Sequence, residues 1–270
     1  MTTTTKSLMR ELGTMEDATS SRTASTHWGG LEMSTPLRPD LESLPLRLRK
    51  LPLDARGYPV PWFVAWVDGP DGPETVPEFR AMDARKFQRA VKERLCWVCG
   101  EMLGRWLAFP IGPMCAITRT TAEPPSHVEC AEWSVRNCPF LSQPRAVRRE
   151  DHMPDAVQAP AGHGIMRNPG VICVWVTREY EIFNDGRGKP LIQVGKPERT
   201  AWWAEGRAAS RDEVEASVSG GLPILLEAAK RDGPFAVEAL GKQYAFAQTL
   251  FPAQALGAPE PDAAVRLAGE

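Results

Sequence analysis

Two ligand doublets constrain this chain more than anything else in it: Cys96-Trp97-Val98-Cys99 followed by Gly100, and Ser126-His127-Val128-Glu129-Cys130. C-x2-C and H-x2-C spacing each bring two soft donors into one turn of backbone. Four such donors satisfy a closed tetrahedral zinc site. The other reading of six cysteines in 270 residues is three disulfides. No apolar run follows Met1 to Lys6, so no secretory signal is expected and the economical setting is cytoplasmic. Thiols stay reduced there, and clustered cysteines read as metal ligands. The spacing therefore predicts one structural Zn2+ held by Cys96, Cys99, His127 and Cys130. Cys115 and Cys138 are alternates that could replace His127; otherwise they are small buried apolar side chains.

Local patterns support the assignment. Gly100 can take the positive φ that lets the backbone fold back around a metal. Arg105 to Phe109 and Ile111 to Thr118 read as an irregular hairpin interrupted by Gly112-Pro113, and Pro124-Pro125 ends the extended run. Ser126 is predicted to cap a helix, with Glu129 completing a capping box. That places His127 and Cys130 on one face of the first turn, where the helix dipole favours a thiolate. Knuckle, hairpin and helix over residues 95–138 resemble the treble-clef zinc fingers. The resemblance implies a structural metal whose second ligand pair lies on the helix start. Some members of that group are HNH-type nucleases with a catalytic His in the hairpin, but Gly100 to Ser126 contains no His. The remainder resembles no named family, though its phrasing is similar to that of bacterial or phage proteins.

The flanks complete an α+β expectation: a small zinc-stapled module between an N-terminal strand–helix unit and a C-terminal antiparallel sheet with helices. Residues 1–44 read as a flexible tail, 45–141 as the strand–helix plus finger domain, 142–169 as a connection, 170–252 as antiparallel strands plus helices, and 253–270 as a frayed end. The basic, alternating Leu44 to Pro52 reads as an edge strand or a segment that settles against a partner. Pro61 to Val67 and Glu78 to Met82 read as paired strands. Asp83 caps a helix to about Leu95 with Phe87, Val91 and Leu95 as its buried stripe. Val171 to Thr177 is a strong strand, far too short to span a membrane. Ser210 to Glu213 opens a helix predicted to stop at Gly220-Gly221.

Chemistry is harder to place. There is no Walker A loop, no G-x-G-x-x-G after a strand and no H-E-x-x-H. Cys130-Ala131-Glu132 lacks the downstream P-C-x-x-C that a zinc deaminase needs. An enzyme would have to assemble its site around His152, His163 and nearby acids. The leading expectation is a zinc-stabilised, non-enzymatic adaptor or regulator that grips a protein partner through the tail, Leu44 to Pro52 and Trp202-Trp203. The alternative is a nucleic-acid-binding protein using Arg85, Arg89 and Lys92 on the basic helix together with Arg105, with Trp97 and Trp106 stacking on bases. A formal net charge of -2 gives no global attraction for DNA, RNA or membrane, so any basic face must be local.

Overall fold

The computed structural model describes residues 36–41, 43–69, 72–142, 169–186 and 188–254. Expectations about residues 1–35, about the 143–168 part of the connection with His152 and His163, and about the end from 255 lie outside the described residues.

From Pro36 the chain packs inward. Leu41, Leu44 and Leu51 lie against the main core, and Leu48 is fully buried. Leu44 to Pro52 is thus a docked segment with a 3-10 turn at Leu48–Lys50, where an edge strand or partner segment was predicted. β1 (Val64–Gly69) and β2 (Gly72–Met82) form an antiparallel ribbon. α1 (Ala84–Glu93) follows, capped as predicted by the Asp83 side chain, which accepts from the Arg85 N–H.

β3 (Leu107–Ile111) and α2 (Pro113–Thr118) replace the predicted hairpin. Pro113 removes a backbone donor that a second strand would need, and it suits the first turn of a helix. β3 pairs instead with β5, more than sixty positions on. β4 (Thr120–Thr121), α3 (Val128–Asn137) and the short α4 (Pro139–Ser142) complete the middle of the chain. The C-terminal part contributes β5 (Ile172–Thr177), β6 (Tyr180–Asn184), β7 (Pro190–Val194), β8 (Arg199–Ala204), β9 (Arg207–Ala208), α5 (Arg211–Asp232) and α6 (Pro234–Gln248). One antiparallel sheet has the order β3-β5-β8-β9 and another the order β4-β7-β6. Each draws one strand, β3 or β4, from the middle of the chain and the rest from the C-terminal stretch.

β5 is buried at every position, as its unbroken apolar run requires. Phe109, Cys173, Trp175 and Trp202 face the larger core with residues of α2, α5 and α6. Ala108, Ile172, Val174 and Val176 face the other side, against Ala131 and Val135 of α3. The helix that carries Cys130 is thereby laid on the sheet.

α5 keeps the predicted capping box at Ser210 and Glu213 but runs through Gly220-Gly221 and Pro223 to Asp232. Gly221 is a packing position, since a Cβ there would meet the Met114 sulfur at 2.8 Å. Both halves of α5 bury residues on one core, from Val214 and Val218 to Ala229. That shared burial outweighs the helix-breaking residues.

Trp175 is fully buried, and its Nε1 donates to the Gly195 carbonyl at 3.0 Å. Trp175→Ala is expected to lower stability by about 3–5 kcal/mol, read as a fall in the urea midpoint. An unchanged midpoint would contradict the central role of β5.

Candidate metal centre

The first ligand pair is set by the way α1 ends. Arg94 takes the left-handed conformation at φ 54° and donates to the Ala90 carbonyl. Leu95 then bridges Met102, the Cys96 N–H donates to the Glu101 carbonyl at 2.7 Å, and the Gly100 N–H donates to the Cys96 carbonyl at 2.8 Å. Gly100 sits at φ 75°, and a Cβ would lie 2.6 Å from the Trp62 ring. Backbone conformation and space both demand glycine there.

The second pair is reached differently from the sequence expectation. Ser126 does not cap α3; it is held in an extended bridge to Ala108 by reciprocal hydrogen bonds of 2.8 and 2.9 Å. His127 is the N-cap, and its side chain makes no capping bond. Glu129 turns outward to Arg47 at 2.7 Å instead of closing a capping box. The outcome for the ligands survives: Cys130 still occupies the first turn of α3, one turn after His127.

Cys96, Cys99, His127 and Cys130 place their donor atoms within 4.8 Å of one another, and they could hold a metal ion. His127 Nδ1 lies 3.4 Å from Cys99 Sγ and 3.9 Å from Cys130 Sγ. Tetrahedral zinc with bonds of about 2.0–2.3 Å needs neighbouring donors about 3.5–3.8 Å apart. The outer shell fits as well. His127 Nε2 lies 3.0 Å from the Met102 carbonyl, which accepts its proton and leaves Nδ1 free as a ligand. The backbone N–H groups of Cys99 and His127 point at Cys96 Sγ at 3.4 and 3.3 Å, favouring a thiolate.

The ionisation pattern follows from this crowding. Burial opposes charge on Cys96, but hydrogen bonds from Cys130, Cys99 and His127 outweigh it and drive the thiol far below its ordinary value. The imidazole of His127 is raised to about 10 by its hydrogen bonds to Cys96 and Cys99, against the pull of burial. Cys130 is pushed up by hydrogen bonding to the same two sulfurs. Crowding three sulfurs and an imidazole together sets their ionisation against one another, and a bound cation would displace the protons they share.

The alternates do not join the cluster. Cys115 lies in α2, where burial pushes its thiol up to about 11. Cys138 caps the C-terminus of α3 and is likewise raised by burial. Cys173, in mid-β5, is buried and raised for the same reason. All six thiols are free.

An element the sequence reading missed lies just outside the site. Arg47 donates to Glu101 on the knuckle at 2.6 Å and to Glu129 on α3 at 2.7 Å, and Lys50 adds a 2.6 Å bond to Glu101. The basic character of Leu44 to Pro52 was visible, but partners 54 and 82 positions away were not. Trp97 also departs from expectation. It is buried, stacked on Phe63 at 4.9 Å and met edge-on by Trp62 and Phe87, so it is not offered to a base.

The basic residues named from sequence stay at the surface. Arg85, Arg89, Lys92 and Arg105 are all exposed. Arg85 pairs with Asp83 at 3.4 Å and Arg89 with Glu93 at 3.0 Å. Among the described residues, no helix is long and apolar enough to cross a membrane. No family model, curated protein or solved structure matches this chain.

Elemental analysis should find one metal ion per chain. Cys96→Ser and Cys130→Ser should abolish it, whereas Cys115→Ser and Cys138→Ser should retain it. Because the ligands must shed protons to bind, the ion should be held at neutral pH and lost on acidification. Retention of metal by Cys96→Ser would dissolve the assigned ligand set.

Proposed function

We propose that the cluster holds a structural Zn2+ and that the protein is a zinc-stapled binding protein rather than an enzyme at this site. The observation that carries the reading is the closed donor set: three sulfurs and one imidazole nitrogen within 4.8 Å. Four protein ligands leave a tetrahedral ion no position for substrate or activated water. Sulfur-rich donors select zinc over the hard divalent cations. The binding energy of such sites, about 10–16 kcal/mol in zinc-finger peptides, then acts as folding energy. One doublet on a knuckle and the other at a helix start support a treble-clef-like module in which β3 and α2 stand where that group has its hairpin.

Partner binding must then use surfaces the staple leaves outside. Of the contacts expected of a protein-binding adaptor, Leu44 to Pro52 and Trp202-Trp203 are largely engaged internally. Leu48 is buried and Arg47 is committed to two carboxylates. Trp202 is buried and bonded to the Leu250 carbonyl at 2.8 Å, and Trp203 lies under Arg136. Arg85 and Arg89 pair with neighbouring acids, whereas the exposed Arg94 and Arg105 form no ion pair with a described residue, which favours an anionic partner.

Replacing the native ion with Co2+ tests the reading. The visible spectrum should be that of a tetrahedral thiolate site and should not change on adding azide or imidazole. A spectrum that shifts with added ligand would mean an open coordination position and a catalytic metal. Removing the ion with a chelator should abolish the cooperative thermal transition of the middle segment.

A further inference from the structure

We infer that the face of the zinc knuckle carrying Trp106 binds single-stranded nucleic acid. The inference rests on the metal being a structural staple, because the loop concerned hangs from it. Met102 to Trp106 is tethered at one end through the Met102 carbonyl, which holds His127, and at the other by the start of β3. Leu103 is buried and accepts no exposure, whereas Met102, Gly104, Arg105 and Trp106 all point outward. Met102 is 74% exposed and Trp106 43% exposed, so this loop, held at both ends, offers apolar surface outward.

The indole of Trp106 does not stand alone. The guanidinium carbons of Arg105 and Arg178 lie 5.4 and 5.0 Å from its ring centre. The pairing of Leu107 with Thr177 fixes this meeting, because it sets the residues just outside β3 and β5 side by side. Arg94 joins the same region. It is bonded through its carbonyl to Leu103, and it lies within Coulombic reach of Tyr180, two residues beyond Arg178. A second aromatic–cation contact meets the knuckle at Gly100: Trp62, packed there, has Arg89 at 5.7 Å and Lys86 at 6.0 Å.

The charges decide the kind of partner. Arg89 and Arg178 have ion-pair partners in Glu93 and Glu198. Lys92, Arg94 and Arg105 are exposed and form no ion pair with a described residue. Arg105 and Arg178 beside an exposed indole match a ligand that alternates phosphates with flat rings. Single-stranded binders use this combination, a basic track for the backbone and aromatic platforms for the bases. The seven residues from Gly100 to Trp106 reach at most about 25 Å when extended, a span that fits within the short site sizes of such proteins, about 4–16 nucleotides. A duplex keeps its bases stacked on one another and offers nothing to Trp106. A protein partner is the competing occupant, and the same experiment excludes or admits it.

The test is fluorescence anisotropy of the full-length protein with a labelled 15-nucleotide oligo-dT and the matching oligo-rU, at 50 and 200 mM salt. Three phosphate contacts predict a loss of affinity of about 20-fold between the two salt concentrations. Trp106→Ala is expected to weaken binding about tenfold, and Arg105→Glu to weaken it and flatten the salt dependence. Both variants should keep the metal content and melting temperature of the parent. A 15-base-pair duplex should bind more weakly than the single strand. The proposal is overturned if the metal-loaded parent fails to bind at 50 mM salt, in which case this face is left to a protein partner. It is also overturned if Trp106→Ala binds as tightly as the parent, or if the duplex binds equally well. Metal content measured on each sample separates the two readings: binding by a folded protein without metal would refute the staple while supporting this surface.

Discussion

Four donor atoms gathered within 4.8 Å join a turn at the end of one helix to the first turn of another, 28 positions on. Everything around the joint is organised to keep it closed. Main-chain N–H groups aim at the Cys96 sulfur, the Met102 carbonyl holds the His127 ring, and Gly100 lets Trp62 close over the turn. Such a site concentrates repulsion among deprotonated sulfurs unless a cation or protons occupy it. That is why the cluster carries strongly displaced ionisation and why a metal would act as part of the folding energy.

The joint is supported from two directions. On one side, α3 lies on the β3-β5-β8 sheet through Ala131 and Val135, so Cys130 is positioned by the apolar burial of its own helix. On the other, Trp97 anchors the knuckle to the N-terminal unit through Phe63, Trp62 and Phe87. Arg47 spans the seam by bonding one carboxylate from each half. These ion pairs are largely solvent-exposed, so they orient the segment more than they stabilise it. The apolar anchor beside them, Leu48, is the part that buries surface.

Charge near the joint is divided between internal and external use. Arg47 and Lys50 serve the seam, and Arg85 and Arg89 close on neighbouring acids. Lys92, Arg94 and Arg105 remain exposed, and Arg105 lies against the exposed Trp106. An overall charge of -2 conceals this local excess, because net charge sums over faces that a ligand never meets together.

The sequence by itself determined the elements governed by short-range rules. Ligand doublets at three-residue spacing, the Asp83 cap, the Ser210–Glu213 capping box and the apolar run of β5 were all legible, because each depends on residues within a turn or two of one another. Tertiary structure decided what those rules leave open. Arg105 to Thr118 looked like a hairpin, but β3 found its partner in β5, more than sixty positions on. Ser126 looked like a cap, but pairing with Ala108 made it extended and passed the cap to His127. Gly220-Gly221 looked like a stop, but close packing on Met114 made Gly221 part of a continuous helix. In each case burial shared with a distant segment outweighed a local preference of about 1 kcal/mol or less per residue. The same logic separates the tryptophans: sequence counts them alike, and only the fold buries Trp97 while leaving Trp106 at the surface.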